Sequence, residues 1–227
     1  MGEGPGSHNA ALQAIAREAT ERHADLPRSL RPFRVDPLPS RISLSAAMDL
    51  LEQPLRPTEV PLAVGGDTLT LRALDAIDHG PGLLVLGPRR SGRSTALTTM
   101  TSSMLDRGWK IALLTPRRSP LGGVVKAFNL EIDKDEATEL FESLVPESGG
   151  PNTALVVDDV ELMGVDGWLV DLLTKHVAKL RDSGSLVIAA GTTDDLGSSY
   201  RGPVATLKKS RSGLLLSPAA SSDGDHF

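Results

Sequence analysis

The chain has 227 residues, 40% of them hydrophobic, and its 24 Lys and Arg against 29 Asp and Glu leave a formal charge of −5. That length suits one α/β domain with extra segments, and recurrent apolar runs with mild charge imbalance exclude a chain disordered throughout. With no Cys, one Tyr, two Trp and four Phe, disulfide scaffolds, Cys-based metal sites and aromatic platforms for single strands drop out, and the acidity argues against a phosphate-backbone binder.

The first predicted element is a helix over Asn9 to His23. Ala11, Leu12, Ile15, Ala16 and Ala19 fall at helical spacing there, with Ser7 or Asn9 as cap. Prolines then cluster: Pro27, Pro32, Pro37, Pro39, Pro54, Pro57 and Pro61 are seven of the chain's sixteen. Such a stretch cannot donate a regular ladder and is expected to run extended over a surface. A short helix from Ser45 to Glu52, with Ala46, Ala47, Leu50 and Leu51 on one face, interrupts it. Residues 1–60 therefore read as a helix plus a proline-rich linker that docks elsewhere.

From Pro61 onward, β-rich runs alternate with helical stretches. Strands are expected at Leu83–Leu86, Lys110–Leu114, Ala154–Val157, Leu186–Ala190 and Gly213–Leu216. Helices are expected at Gly92–Arg107, over 134–144 and at Trp168–Arg181. Strands apolar at nearly every residue and separated by helices indicate a mainly parallel sheet covered on both faces, with right-handed crossovers. The domain is expected to span 61–218, with 219–227 as a frayed polar tail. No apolar run approaches the ~18 residues that span a bilayer, and the Gly-rich start is no signal peptide, so a soluble cytoplasmic domain is expected.

The most informative stretch is Gly87-Pro88-Arg89-Arg90-Ser91-Gly92-Arg93-Ser94-Thr95, set between a predicted strand and a predicted helix. It follows the P-loop pattern G-x-x-x-x-G-K-[ST] except that Arg93 replaces the lysine. Loop amides and the helix N-terminus would form an anion cradle, and Ser94 would ligand Mg²⁺. Lysine presents a compact charge to phosphate, whereas the guanidinium is planar and forked, so binding survives the exchange more readily than efficient hydrolysis. Downstream, Ala154-Leu155-Val156-Val157-Asp158-Asp159 looks like a Walker B element. Asp158 would hold Mg²⁺, and Asp159 stands where many ATPases carry a water-activating glutamate, one methylene longer.

The fourth strand ends in Gly191-Thr192-Thr193-Asp194, which makes Thr192 the candidate γ-phosphate sensor; ordinary turn chemistry is the alternative. Arg201 is a candidate arginine finger acting on a neighbouring subunit, with a plain surface arginine as its alternative. The five histidines lack metal-ligand spacing, and no serine nucleophile elbow is present.

On these residues the chain resembles the FtsK/SpoIIIE group of P-loop motors. More narrowly it is similar to the last ATPase domain of EccC-type motors of type VII secretion. The resemblance rests on the two motifs, on the lead-in Val35-Asp36-Pro37-Leu38-Pro39-Ser40-Arg41-Ile42, on Pro61-Leu62-Ala63-Val64-Gly65-Gly66-Asp67, and on the closing Ser210-Arg211-Ser212-Gly213-Leu214-Leu215-Leu216-Ser217-Pro218. It covers residues 35–218 and implies a RecA-like, additional-strand ATPase fold binding ATP and Mg²⁺. It also implies a place in a hexamer or larger ring at the cytoplasmic face of a membrane-anchored, multi-ATPase chain. Domains of this group can bind nucleotide yet hydrolyse it poorly, and can recognise the C-terminal signal of WXG100 export substrates. Two rival functions follow from the same fold: a DNA translocase, which would need a basic DNA-facing loop, and a scaffold that binds without hydrolysis.

Overall fold

The structure is a computed structural model that describes residues 5–27, 35–148, 150, 152–197 and 199–226. Pro32 of the proline cluster and the terminal Phe227 lie outside the described residues. The chain divides into two units, Met1–Pro37 and Leu38–Phe227.

The first unit carries helix α1 (Pro5–Arg22). It begins before the expected start, so Ser7 and Asn9 sit inside it and do not cap it. Pro5 suits the opening turn, where its missing N–H has no helical partner to lose and its φ is already helical. Glu18 and Arg22 form an i,i+4 ion pair, and Leu12 and Ile15 are exposed.

The second unit opens with the short helix α2 (Leu44–Met48), capped by Ser43, whose Oγ accepts from the Ala46 amide at 3.2 Å. It starts one residue earlier and ends sooner than the sequence suggests. The Leu50 carbonyl, already past the helix, accepts from Thr70 Oγ1 at 3.3 Å. A hairpin absent from the sequence reading follows: β1 (Glu59–Gly65) pairs antiparallel with β2 (Thr70–Asp75). Pro61 lies within β1, where the register shifts between Pro61 and Ala63, a bulge being one of the few places where a strand tolerates a residue with no N–H. The proline segment before it is clamped. Pro57 O accepts from Trp109 Nε1 and from Asn152 Nδ2, each at 3.0 Å, and Arg56 O accepts from Arg107 Nη1 at 3.1 Å.

After α3 (Ala76–His79) the main sheet begins. Its elements are β3 (Gly82–Leu86), α4 (Arg93–Asp106), β4 (Lys110–Leu114), β5 (Ala127–Phe128), α5 (Lys134–Ser143), β6 (Thr153–Val157), α6 (Trp168–Lys179), β7 (Leu186–Gly191), α7 (Thr193–Gly197), α8 (Gly202–Leu207) and β8 (Gly213–Leu215). The six strands run in the order β5-β4-β6-β7-β3-β8, and all five neighbouring pairs are parallel. In β3 all five residues are buried, and alternate side chains feed opposite faces. Leu84 and Leu86 pack with Phe141, Leu173 and Leu207 of α5, α6 and α8, while Leu83 and Val85 pack with Leu97, Met100 and Met104 of α4 and with Val60 of β1. Burial on both faces is what the near-continuous apolar runs demand. It also leaves the carboxyl ends of β3, β7, β6 and β4 side by side at one edge, where open α/β sheets bind ligands.

Candidate functional site

At the end of β3 the chain turns sharply. The Gly87 amide donates to Gly191 O at the end of β7 (3.3 Å), tying the two strand ends together. A Cβ on Gly87 would stand 2.8 Å from Leu216 O and 2.5 Å from Ser91 Oγ, so only glycine fits. Arg90 and Gly92 take positive φ, +66° and +101°, and this alternation curls the loop's amides inward as an anion-binding nest does. Gly92 caps α4 with no side chain on the first-turn amides, which leaves orphan N–H donors and the positive end of a 14-residue helix at the loop. Ser91 Oγ is buried without a hydrogen-bond partner. An orphan hydroxyl, an uncapped helix start and a glycine-only turn are the features a phosphate group would satisfy.

Arg93 opens α4 and folds back beneath the loop, with only 11% of its side chain exposed. Its Nη1 donates to Gly87 O at 3.1 Å, and its Nη2 donates to Asp159 Oδ1 at 3.4 Å. Ser94, one residue on, donates through Oγ to Asp158 Oδ2 at 3.3 Å. β6 delivers that buried aspartate from two strands away across the sheet, with β7 between it and β3. A third element joins them: the loop after β4 sends Ser119 Oγ to the same Asp158 Oδ2 at 2.8 Å. Ser94 and Asp158 offer hard oxygen donors side by side, which fits Mg²⁺. That ion usually takes one or two protein ligands and fills its shell with phosphate oxygens and water. Among the described residues no group of three or more His, Cys, Asp or Glu could hold a metal unaided.

Asp159 adopts a left-handed backbone, φ +52° and ψ 49°, which aspartate tolerates better than most residues. Its carboxylate lies between two guanidiniums: Arg93, and Arg117 of the β4 loop, whose Nε is 4.0 Å from Oδ2. Glu161, in the 3-10 turn Val160–Met163, is a site residue that the sequence reading missed. Its Oε1 is 3.9 Å from Arg93 Nη1, and its Oε2 is buried without a partner. Burial pushes this carboxyl above the usual glutamate range, against the opposing pull of its own and the Thr192 backbone amides and of Arg93. No motif flags it, because it lies past the acidic pair on which a Walker B pattern ends.

Of the remaining predicted residues, Pro88, Arg89, Arg90 and Thr95 are exposed on the loop and the first turn of α4. Thr192 follows the residue that accepts from Gly87, so it stands at the site's edge. There its Oγ1 donates to the Asp195 carboxylate and accepts from the Asp195 amide at 3.3 Å, closing the first turn of α7. Arg201 lies outside the Arg93–Asp158–Asp159 cluster. It precedes α8 and lines a cavity of about 560 Å³ with Val160, Glu161, Leu162, Val165 and Tyr200. Glu161 is thus common to the cavity and the loop cluster.

No protein-family model matches the chain, and no curated protein does. Solved structures do. The cytoplasmic domain of EssC superposes with a TM-score of 0.64 at 17% identity, over 96% of this chain and 47% of that one. Thermomonospora curvata EccC (ATPases 2 and 3), in complex with a signal sequence peptide, gives 0.57 at 22% over 74% and 35%. The cytoplasmic domain of the Thermomonospora curvata type VII secretion ATPase EccC gives 0.56 at 22% over 70% and 22%. The chain therefore spans less than half the length of each of these structures. No helix among the described residues is long and apolar enough to cross a membrane. The fold is that of the RecA-like ATPase domains of EccC and EssC, a parallel six-stranded sheet with a glycine-bearing loop between β3 and α4.

Proposed function

We propose that this chain is an ATP-binding, FtsK/SpoIIIE-like ATPase domain of a type VII secretion motor, weakly hydrolytic or regulatory. The observation that carries this reading is the meeting of Ser94, in the first turn of α4, and Asp158, just past the end of β6, 3.3 Å apart. In this reading the uncapped start of α4 and Ser91 Oγ take phosphate oxygens, and Arg93 turns its charge from Asp159 to the nucleotide. Mg²⁺, held by Ser94 and Asp158, would spread the phosphate charge. Turnover is slow because Asp159 is a methylene short of a water-activating glutamate and Arg93 stands where the loop pattern has a lysine. Residues 61–218 would form the ATPase domain, 1–60 a linker and 219–227 a tail, working beside other ATPase domains in a ring. The exposed Arg201 would face a neighbour's nucleotide, and the membrane would be reached only through other parts of the motor.

The same motor reading assigns the cavity beside Arg201 to the signal segment of a WXG100-type export substrate. Val160, Leu162, Val165, Tyr200 and Val204 supply an apolar wall for it, and the signal peptide held by EccC supports the assignment. The test of the nucleotide site is a calorimetric titration of the chain with Mg·ATP, alongside Asp158→Ala. Micromolar or tighter binding, about −8 kcal/mol, that weakens in the variant is expected. Absence of binding to the folded wild-type chain overturns the reading in favour of a scaffold without nucleotide.

A further inference from the structure

We infer that Arg117, on the loop leaving β4, reads the terminal phosphate of the nucleotide from within the same chain; the inference rests on the nucleotide reading above. Three observations place it there. First, Arg117 and Arg93 approach opposite oxygens of one carboxylate: Arg117 Nε lies 4.0 Å from Asp159 Oδ2 and Arg93 Nη2 lies 3.4 Å from Oδ1. Asp159 stands between the two guanidiniums, with Glu161 Oε1 3.9 Å from Arg93 Nη1, at the end of the sheet where the loop opens. A terminal phosphate, with up to two negative charges and three acceptor oxygens, complements such a pair better than one carboxylate does.

Second, the loop that carries Arg117 is fixed at both ends. Thr115 Oγ1 donates to Arg117 O at 3.0 Å and accepts from the Arg117 amide at 3.4 Å, and Ser119 Oγ donates to Asp158 Oδ2 at 2.8 Å. The segment between these anchors is tied through Ser119 to Asp158, the acid that faces Ser94, so the backbone that carries Arg117 is placed by the site. Third, the guanidinium has no structural employment elsewhere. Its side chain is 55% exposed, and Asp159 is its one ion-pair partner among the described residues. A solvent-facing arginine can turn to an incoming anion without first leaving a buried position of its own.

In this place Arg117 would act as the charge-stabilising arginine that some NTPases carry in their own chain and others take from a partner. Asp159 then acts as a stand-in for the terminal phosphate when the site is empty, and it gives up both arginines when ATP enters. ADP, which lacks that phosphate, would leave the Arg117–Asp159 approach intact. Arg117 therefore sets the preference for ATP over ADP and contributes little to the affinity for ADP.

The experiment compares Mg·ATP and Mg·ADP binding by calorimetry in the wild-type chain, Arg117→Ala and Arg118→Ala, with thermal melts to show that each is folded. Arg118 is the control because it is a neighbouring, exposed arginine with no ion pair among the described residues. The wild type is expected to favour ATP by roughly tenfold, equal to about 1.4 kcal/mol. Arg117→Ala should weaken ATP by about that factor, leave ADP within roughly twofold, and bring the ratio to near one, while Arg118→Ala keeps the ratio. A wild-type ratio that is unchanged in Arg117→Ala, an equal loss of both nucleotides, or a wild-type ratio already near one overturns the assignment while the nucleotide site stands. A wild-type chain that binds neither nucleotide removes the nucleotide reading itself.

Discussion

Arg93 and Asp159 hold each other across the mouth of the P-loop, Nη2 to Oδ1 at 3.4 Å, while the other arm of the same guanidinium donates to Gly87 O at 3.1 Å. The forked guanidinium makes both contacts at once, one arm to each acceptor. The arginine thus braces the loop from inside and ties up the acid that would otherwise face water. The departure from the P-loop pattern and the departure from the acid–glutamate pattern are two halves of one interaction.

Arg93→Lys should therefore loosen both ends. Lysine has one compact charge and lacks the two separate arms of the fork, so its ammonium is expected to turn to phosphate and to loosen its hold on Asp159. The expected outcome is a gain in phosphate release from ATP, with nucleotide affinity kept or improved. Steady-state phosphate assays and calorimetry on the folded variant check it. A variant that binds Mg·ATP as the wild type does, yet turns over no faster, would show that Asp159 or a missing neighbour is the limiting defect.

The loop's two glycines should respond differently to alanine. At Gly87 the new methyl would meet Leu216 O at 2.8 Å and Ser91 Oγ at 2.5 Å. Overpacking against backbone should cost about 1–3 kcal/mol and abolish nucleotide binding. At Gly92 nothing lies within 4 Å of the added atom, and the penalty comes only from a φ of +101°, about 1–2 kcal/mol. Urea denaturation of both variants tests the difference. Gly87→Ala as stable as wild type would mean that the turn is looser than its contacts imply.

Much of this was legible in the sequence, and for physical reasons. Runs such as Leu83–Leu86 and Leu186–Ala190 can be apolar at every residue only if both faces are covered, and that alone implies a parallel sheet with helices on either side. Gly87, Gly92 and Ser94 stood at a spacing that only a loop between strand and helix explains. What was hidden depended on distance in space. Glu161 and Ser119 join the site through turns with no fixed spacing to the motifs, so their neighbourhood with Arg93 and Asp158 appears only after folding. The β1–β2 hairpin was masked by Pro61, since a proline argues against a strand until a bulge is known to accommodate it.

Glu161 makes a pH-dependent prediction. Burial holds its folded carboxyl above the ordinary value. Below the unfolded value both states are protonated and the group is neutral to stability. As pH rises through the folded value, the unfolded chain ionises more easily and stability is lost. Glu161→Gln keeps an acceptor for the Thr192 amide and removes the buried charge. Its Tm should exceed the wild type's at pH 8, with the gap closing toward pH 4. A Tm below wild type at pH 8 would mean that the pairing with Arg93 outweighs burial.

His176 runs in the opposite sense. It is 2% exposed on α6, its ring centroid is 5.1 Å from that of Phe141, and its Nε2 is buried without a hydrogen-bond partner. Burial, reinforced by Lys179, pushes its pKa down from 6.5 to about 4. The unfolded chain therefore binds a proton below pH 6.5 that the folded chain refuses until about pH 4. Stability present above pH 6.5 should fall by about 2 kcal/mol at pH 5 and by about 3 kcal/mol once pH 4 is passed. His176→Leu, apolar and of similar size, removes the titrating group. Its urea midpoint should drop less than the wild type's between pH 7 and pH 5. Parallel losses in the two proteins would sink the assignment and shift the acid sensitivity to Asp75, 2.9 Å from Arg56 Nη2, whose carboxyl, against the cost of burial, is held below its ordinary value by the Ile77 amide, the Thr58 hydroxyl and Arg56.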